Sequence, residues 1–325
     1  MARFGLAALA ALVLLLICNA VEKSPRLPEL EVAQAYGPRT VQRIEFSAFS
    51  DLSSLVQDLN YTEETWQAGQ REVPRLLMTR IPERFAEVTV KEVTVEEKKN
   101  MFFRMVLPVL LTANEEIEAE REKLMQIKAE LEEKRFPGAD NLRQLRRLAK
   151  KYEVPMDGDV VSLNLVIETL ERRIDIVPPS LGLAQAASES GWGTSRFAQE
   201  GNALFGQWTI GGKGMVPEEQ RASKGDYKVA MFKTPLGSVR SYIRNLNTNA
   251  AYKEFRKRRE AARAGGKPLS GSTLARTLTK YSERGADYIE DILSIIKSNR
   301  LSILDRSYLA DGDVYELLPV WRSEG

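Results

Sequence analysis

Residues 184–208 read AQAASESGWGTSRFAQEGNALFGQW. The run holds four glycines, two tryptophans and three charged side chains, in a chain that is otherwise 28% charged. Ala184, Ala186, Ala187 and Ser188 are small, so a helix from Leu181 to Ser190 can lie close to its neighbours in the middle of a domain. Gly191 is the expected left-handed residue that ends this helix. Glu189 then falls in the last turn, where the carbonyl end of the helix dipole disfavours a carboxylate and favours the neutral acid. If Trp192 covers the carboxyl, desolvation acts in the same direction. A glutamic acid kept protonated near neutral pH can serve as a general acid. On spacing alone, the competing role is structural: Glu189 caps the helix or pairs with Arg196.

The composition narrows the chemistry around that residue. The chain has 325 residues and 43% hydrophobic content, which suits a globular protein of one large domain or two ordinary ones. Lys plus Arg total 47 against 45 Asp plus Glu, so no global field draws in nucleic acid, and none is expected as a partner. Histidine is absent, which excludes Ser-His-Asp and Cys-His catalysis and every histidine-ligated metal site. No metal and no cofactor is expected. Chemistry resting on carboxylates alone is that of glycoside hydrolysis, where one acid protonates the leaving oxygen and a base or nucleophile works at the anomeric carbon.

MARFGLAALAALVLLLICNA, residues 1–20, combines a basic start, an apolar run to Cys18 and a small-residue ending. It reads as a secretory signal cleaved after Ala20, with an uncleaved N-terminal anchor as the alternative. The expected location is periplasmic or otherwise extracytoplasmic. Cys18 is the only cysteine, so the mature chain must fold by packing without disulfides.

Outward from the opening stretch, the pattern is mainly helical with one small β excursion. Residues 21–43 carry three prolines and read as a loose arm, which a short helix extends to about residue 72. Leu52, Leu55, Val56 and Leu59 supply the apolar face of that helix. Val73 to Val90 reads as an extended connector. Thr94 to Glu97 is a capping-box pattern that opens one long helix, bent near Pro108. Phe136-Pro-Gly-Ala-Asp turns it into a second helix with Asp140 as N-cap, which gives a helical hairpin. Another helix spans Leu163 to Ile174, and Ser180 caps the next. A strand over Tyr227–Phe232 pairs within Gln207–Met215 as a hairpin lobe, and Thr234-Pro235 starts a further helix. Helices follow at about 250–264, 272–281 and 285–299, and residues 301–325 read as an irregular tail. The organisation expected is a signal at 1–20, an arm at 21–72, a helical extension at 73–176 and a catalytic domain at 177–300.

LAQAASESGWGTSRFAQEGNALFGQW resembles the signature of the bacterial glucosaminidase family of peptidoglycan hydrolases, in which a helix ending E-S-G-W-G precedes a second helix and an N-x-L-F-G motif. PRLLMTRI at 74–81, the Lys98–Leu111 helix and Leu246-Asn-Thr-Asn249 resemble the Bax-like subgroup, over roughly residues 70–300. The resemblance implies a mainly α (α+β) fold: a lysozyme-like domain with a small β-hairpin lobe, here preceded by the helical hairpin. It implies an endo-β-N-acetylglucosaminidase acting on peptidoglycan glycan strands. Glu189 matches the family's catalytic acid. Asn202, Phe205 and Gly206 match the motif at the floor of the cleft. Trp192 and Trp208 become candidates for stacking on sugar rings, with core packing as the alternative. Tyr281, in KYSERGADY, resembles the tyrosine that faces the developing oxocarbenium ion.

The second carboxylate is bracketed between Gly211 and Tyr227, where Glu218 and Glu219 are the candidates and Asp226 a further acid. A nucleophile, an activated water and the substrate's own 2-acetamido group all remain open as partners of Glu189. A muramidase or lytic transglycosylase, or a non-catalytic wall-binding protein, are the rival functions. Two further signals read as surface. Ser294-x-x-Lys297 lacks the companion motifs of serine acyl enzymes. The cations Lys253, Arg256, Lys257, Arg258, Arg259 and Arg263 suit a solvated helix face, with weak contact to a membrane surface or anionic wall polymer as the other reading.

Overall fold

A computed structural model describes residues 39–82, 93–156, 160–209, 214–216 and 228–320. The signal-like segment and the acids Glu218, Glu219 and Asp226 lie outside the described residues. Chain order runs β1 (Val41–Phe46), α1 (Phe49–Asp58), α2 (Glu63–Gln67), β2 (Glu72–Met78), α3 (Val95–Lys134), α4 (Ala139–Lys151) and α5 (Val160–Arg173). It continues with α6 (Pro179–Ser190), α7 (Arg196–Gly201), β3 (Trp208–Thr209), β4 (Gly214–Met215), β5 (Lys228–Ala230) and α8 (Pro235–Thr248). The last elements are α9 (Lys253–Ala264), α10 (Gly271–Ala275), α11 (Ala286–Ser298), a 3-10 turn at Leu301–Arg306 and β6 (Tyr308–Pro319). The fold is mainly α with two small sheets, as the resemblance implies.

The axis of the molecule is α3. All fourteen of its residues from Met101 to Asn114 are buried, so this half of the helix is enclosed on every side rather than along one stripe. The capping box forms as expected, with Thr94 N donating to Glu97 Oε2 at 2.8 Å and Glu97 N to Thr94 Oγ1 at 3.2 Å. The helix runs on through Pro108, and Thr112 Oγ1 donates to the Pro108 carbonyl at 2.8 Å. Beyond the helix end, Gly138 rather than Asp140 is the N-cap of α4. Asp140 lies in its first turn, paired with Arg143.

The larger sheet departs most from the sequence reading. The end of the arm, the start of the connector and the supposed irregular tail are its three strands, in the order β1-β6-β2 and parallel throughout. β2 is buried along most of its length, Arg75 included, because α3 packs against it. Arg75, 3% exposed, joins the sheet to α3: its guanidinium donates to Glu115 at 2.7 and 2.8 Å and to the Ala310 carbonyl at 2.7 Å.

The basic face expected on α9 is only partly solvated. Arg256 and Arg259 are buried, and they serve as donors to the unpaired carbonyls where other helices end. Arg256 Nη1 donates to Leu246 O and Asn249 O at the end of α8. Arg259, 0% exposed, donates to Arg172 O, Asp175 O, Ile176 O and Asn247 Oδ1 at 2.8–3.1 Å. Ser294 and Lys297 are exposed on α11, as expected for a solvated face. Among the described residues no helix is long and apolar enough to cross a membrane.

Candidate active site

Helix α6 crosses the interior against α3, α10, α11 and the 3-10 turn. Its N-terminus is held from a distance. Ser180 is not the N-cap; Pro178 takes that position, and Asp305 reaches in from the 3-10 turn. One oxygen of Asp305 accepts from Ser180 N and the other from Gly271 N, both at 2.9 Å, so one carboxylate serves the starts of α6 and α10. The two helices meet so closely that a Cβ on Gly271 would stand 2.7 Å from Leu181 N and overlap Ser180 Oγ. The C-terminus ends as the sequence predicts: Gly191 takes the left-handed conformation at φ 57°. Glu189 occupies the last turn, half-buried.

Burial raises the Glu189 carboxyl above its ordinary pKa, and a hydrogen bond from Tyr288 acts in the opposite sense. The competing structural pairing with Arg196 does not form; Arg196 lies 3.7 Å from Glu200 and donates to Val216 O. The enclosing groups are tyrosines. Tyr242, Tyr252, Tyr281 and Tyr288 all feel the charge of Glu189, and burial raises each phenol above its ordinary range. Tyr281 stacks on Tyr288 at 5.5 Å, tilts against Tyr252 at 5.9 Å and meets Tyr242 edge-on at 6.5 Å. Its ring is partly exposed while its hydroxyl is enclosed.

Other motif residues build the floor and flanks. Phe205 is buried and stacks on Tyr242 at 3.8 Å and 4°. The Asn202 side chain is engaged with backbone: Oδ1 accepts from Ile81 N at 2.9 Å, and Nδ2 donates to Phe232 O and Lys233 O. It clips three segments beneath the site. Trp192 turns toward α3, edge-on to Phe102 at 5.9 Å and Phe103 at 5.1 Å, with Lys99 Nζ 4.9 Å from the ring centre. Trp208 stands 56% exposed on β3, in the small antiparallel sheet ordered β3-β5-β4 that matches the expected lobe.

Gly206 has φ 56°, and a Cβ there would lie 3.3 Å from Glu189 Oε2. Gly206→Ala is therefore expected to cost about 1–2 kcal/mol from the left-handed backbone. It should also push the carboxylate aside and lower turnover by about 10- to 100-fold. Thermal denaturation and kcat measured together check this; wild-type values for both would refute it.

Three hydrogen-bonding residues escaped the sequence reading. Tyr242 OH donates to Gln185 Oε1 at 2.6 Å, and Gln185 Nε2 donates to Tyr288 OH at 2.8 Å. Tyr288 in turn reaches Glu189. Gln185 offered a usable signal: it is a polar residue one turn before Glu189 in a helix of small and apolar residues. Tyr242 offered none, since it reads as part of an amphipathic stripe.

Comparison with known proteins identifies relatives of this chain. Residues 166–301 match the family model described as glucosaminidase, mannosyl-glycoprotein endo-beta-N-acetylglucosaminidase. Protein bax of Escherichia coli (strain K12) is 32% identical over 207 residues, covering 62% of this chain and 70% of that protein. No solved structure matches.

Proposed function

This chain belongs to the Bax-like branch of the glucosaminidase family, and from that premise we propose that it is an exported peptidoglycan hydrolase of the endo-β-N-acetylglucosaminidase type. The single observation that carries the reading is Glu189: a carboxyl at the carbonyl end of α6, enclosed by tyrosines and raised in pKa by burial. Such a group holds its proton until a glycosidic oxygen accepts it.

In this reading Glu189 protonates the oxygen that leaves with the next sugar as the bond between N-acetylglucosamine and N-acetylmuramic acid breaks. The positive charge that develops at the anomeric carbon and ring oxygen meets Tyr281. An acid of the hairpin lobe, Glu218 or Glu219, or the substrate's acetamido oxygen deals with the anomeric carbon, and water completes hydrolysis. Exposed Trp208 supplies a ring face for a sugar. The signal-like residues 1–20 support work outside the cytoplasm.

Incubation of purified protein with peptidoglycan, followed by borohydride reduction and mass spectrometry, tests the bond. Reduced N-acetylglucosamine ends are expected. Reduced N-acetylmuramic acid or 1,6-anhydro ends would instead make the protein a muramidase or lytic transglycosylase. Tight glycan binding with no product would make it a binding protein.

A further inference from the structure

Helix α4 is strongly cationic in a chain that is almost neutral. Its thirteen residues carry five Lys or Arg against one acid, while the whole chain has a net charge of +2. At 3.6 residues per turn, Arg143, Arg146, Arg147, Lys150 and Lys151 fall within one arc of roughly 140°. Leu145, Leu148 and Ala149 occupy the opposite arc and are buried. The apolar side of α4 is therefore already covered by the protein, and the side it shows to solvent is a row of charges. Even with Glu130, Glu132 and Glu133 at the end of α3, residues 130–151 carry seven cations against four acids.

These cations are not engaged as those of α9 are. On α9, Arg256 and Arg259 turn inward to carbonyls, and Glu254 and Glu260 interrupt the exposed cations. On α4, Arg143 pairs with Asp140 and Lys151 with Glu120. Arg146, Arg147 and Lys150 are exposed and have no hydrogen bond or ion pair among the described residues. Lys123 of α3 lines a cleft of about 400 Å³ with Gln144 and Arg147, and its ammonium reaches only Gln126 Oε1, at 3.5 Å. In the turn before α4, the Phe136 ring is 47% exposed. An apolar ring beside a row of cations suits a lipid interface, where the ring leaves water while the cations meet headgroup phosphates. A soluble polyanion would use the cations and leave the ring in water.

We propose that the outward face of α4 is a docking surface for an anionic phospholipid bilayer. Arg146, Arg147 and Lys150 meet headgroup phosphates, the cleft between Lys123 and Arg147 seats one of them, and Phe136 enters the interface. Each Lys or Arg held at an anionic lipid surface raises affinity about fivefold, and salt weakens the attraction by screening. The surface stands apart from the candidate active site: Lys123 lies about 30 Å along α3 from Phe102, against which Trp192 packs. Docking is thus separable from hydrolysis and does not depend on which bond is cleaved.

Co-sedimentation of the full chain with phosphatidylcholine vesicles, with and without about one third phosphatidylglycerol, measures the contact. Residues 1–20 are apolar and would bind both kinds of vesicle, so the readout is the ratio of anionic to neutral binding. That ratio is expected to be at least about 100 and to approach one at about 0.5 M salt. The triple variant Arg146→Gln, Arg147→Gln, Lys150→Gln should lower it by about 100-fold. Its circular dichroism should match the wild type, because the three side chains are exposed. Phe136→Ser should weaken binding to the anionic vesicles severalfold while leaving the salt dependence in place. A ratio near one at low salt, or an unchanged ratio in the triple variant, would overturn the proposal. So would capture by soluble inorganic polyphosphate without binding to the anionic vesicles, which would make α4 a site for a soluble polyanion instead.

Discussion

Glu189→Gln should abolish glycan cleavage while leaving the fold intact. Loss of a general acid costs about 10²–10⁴-fold, and no described residue can replace this one, since the groups around it are phenols held neutral by burial. The stability prediction has an unusual sign. A carboxyl whose folded-state pKa is raised makes the protein most stable below the unfolded value, near 4.5, and less stable as pH rises through the folded value. At neutral pH the wild type therefore bears the cost of a desolvated charge at the carbonyl end of a helix. The amide has no such cost. The melting temperature of Glu189→Gln at pH 7 should equal or exceed that of the wild type. Full turnover by this variant on purified peptidoglycan would eliminate the general-acid role.

The second large effect is on stability. Arg259 has no exposure and binds four acceptors on two other helices and their ends, while its Nε lies 3.5 Å from Asp175 Oδ2. Arg259→Met would leave Arg172 O, Ile176 O and Asn247 Oδ1 without this donor, Asp175 O with Asn247 Nδ2 alone, and the Asp175 carboxylate with Arg263 as its remaining ion-pair partner, 2.7 Å away and 40% exposed. Truncation of one partner of a buried pair costs about 3–5 kcal/mol, and urea denaturation should show a loss of that size. A loss below about 1 kcal/mol would mean that the α5, α8 and α9 ends hold together without the guanidinium. The same pair sets acid sensitivity. Burial alone would raise the Asp175 pKa, yet Arg259 and Arg263 hold it below 3.8. The resulting stabilisation is complete above that value and disappears as pH falls through the folded one. Asp175→Asn should flatten that part of the pH–stability curve.

The parts of the molecule legible in the sequence are those encoded by near neighbours. The Thr94–Glu97 box, Thr234 and Pro235 opening α8, and Gly191 ending α6 all act over three or four residues, and each appears where the sequence places it. The β1-β6-β2 sheet was not legible, because its strands find partners across most of the chain. Asp311-Gly312-Asp313 also breaks the alternation in the middle strand. Arg256 and Arg259 read as surface because their burial depends on carbonyls left open by other helices. In the site, Glu189 declared itself by its misfit with the helix end. Gln185 and Tyr288 matter through each other, and only the meeting of α6 with α11 brings them together.

The middle strand has a further consequence, for the order of events in folding. β6 follows β1 and β2 in the chain but occupies the centre of their sheet, and the ion pair from Arg43 to Glu316 spans 273 residues of chain. Until residues 308–319 arrive, β1 and β2 lack their shared partner and expose unpaired edges to other chains. Closure over such a separation is slow relative to local helix formation. Asp305, which holds the start of α6, immediately precedes this strand. Docking of β6 therefore closes the sheet and, through Asp305, brings a hydrogen-bond acceptor to the start of the helix that carries Glu189.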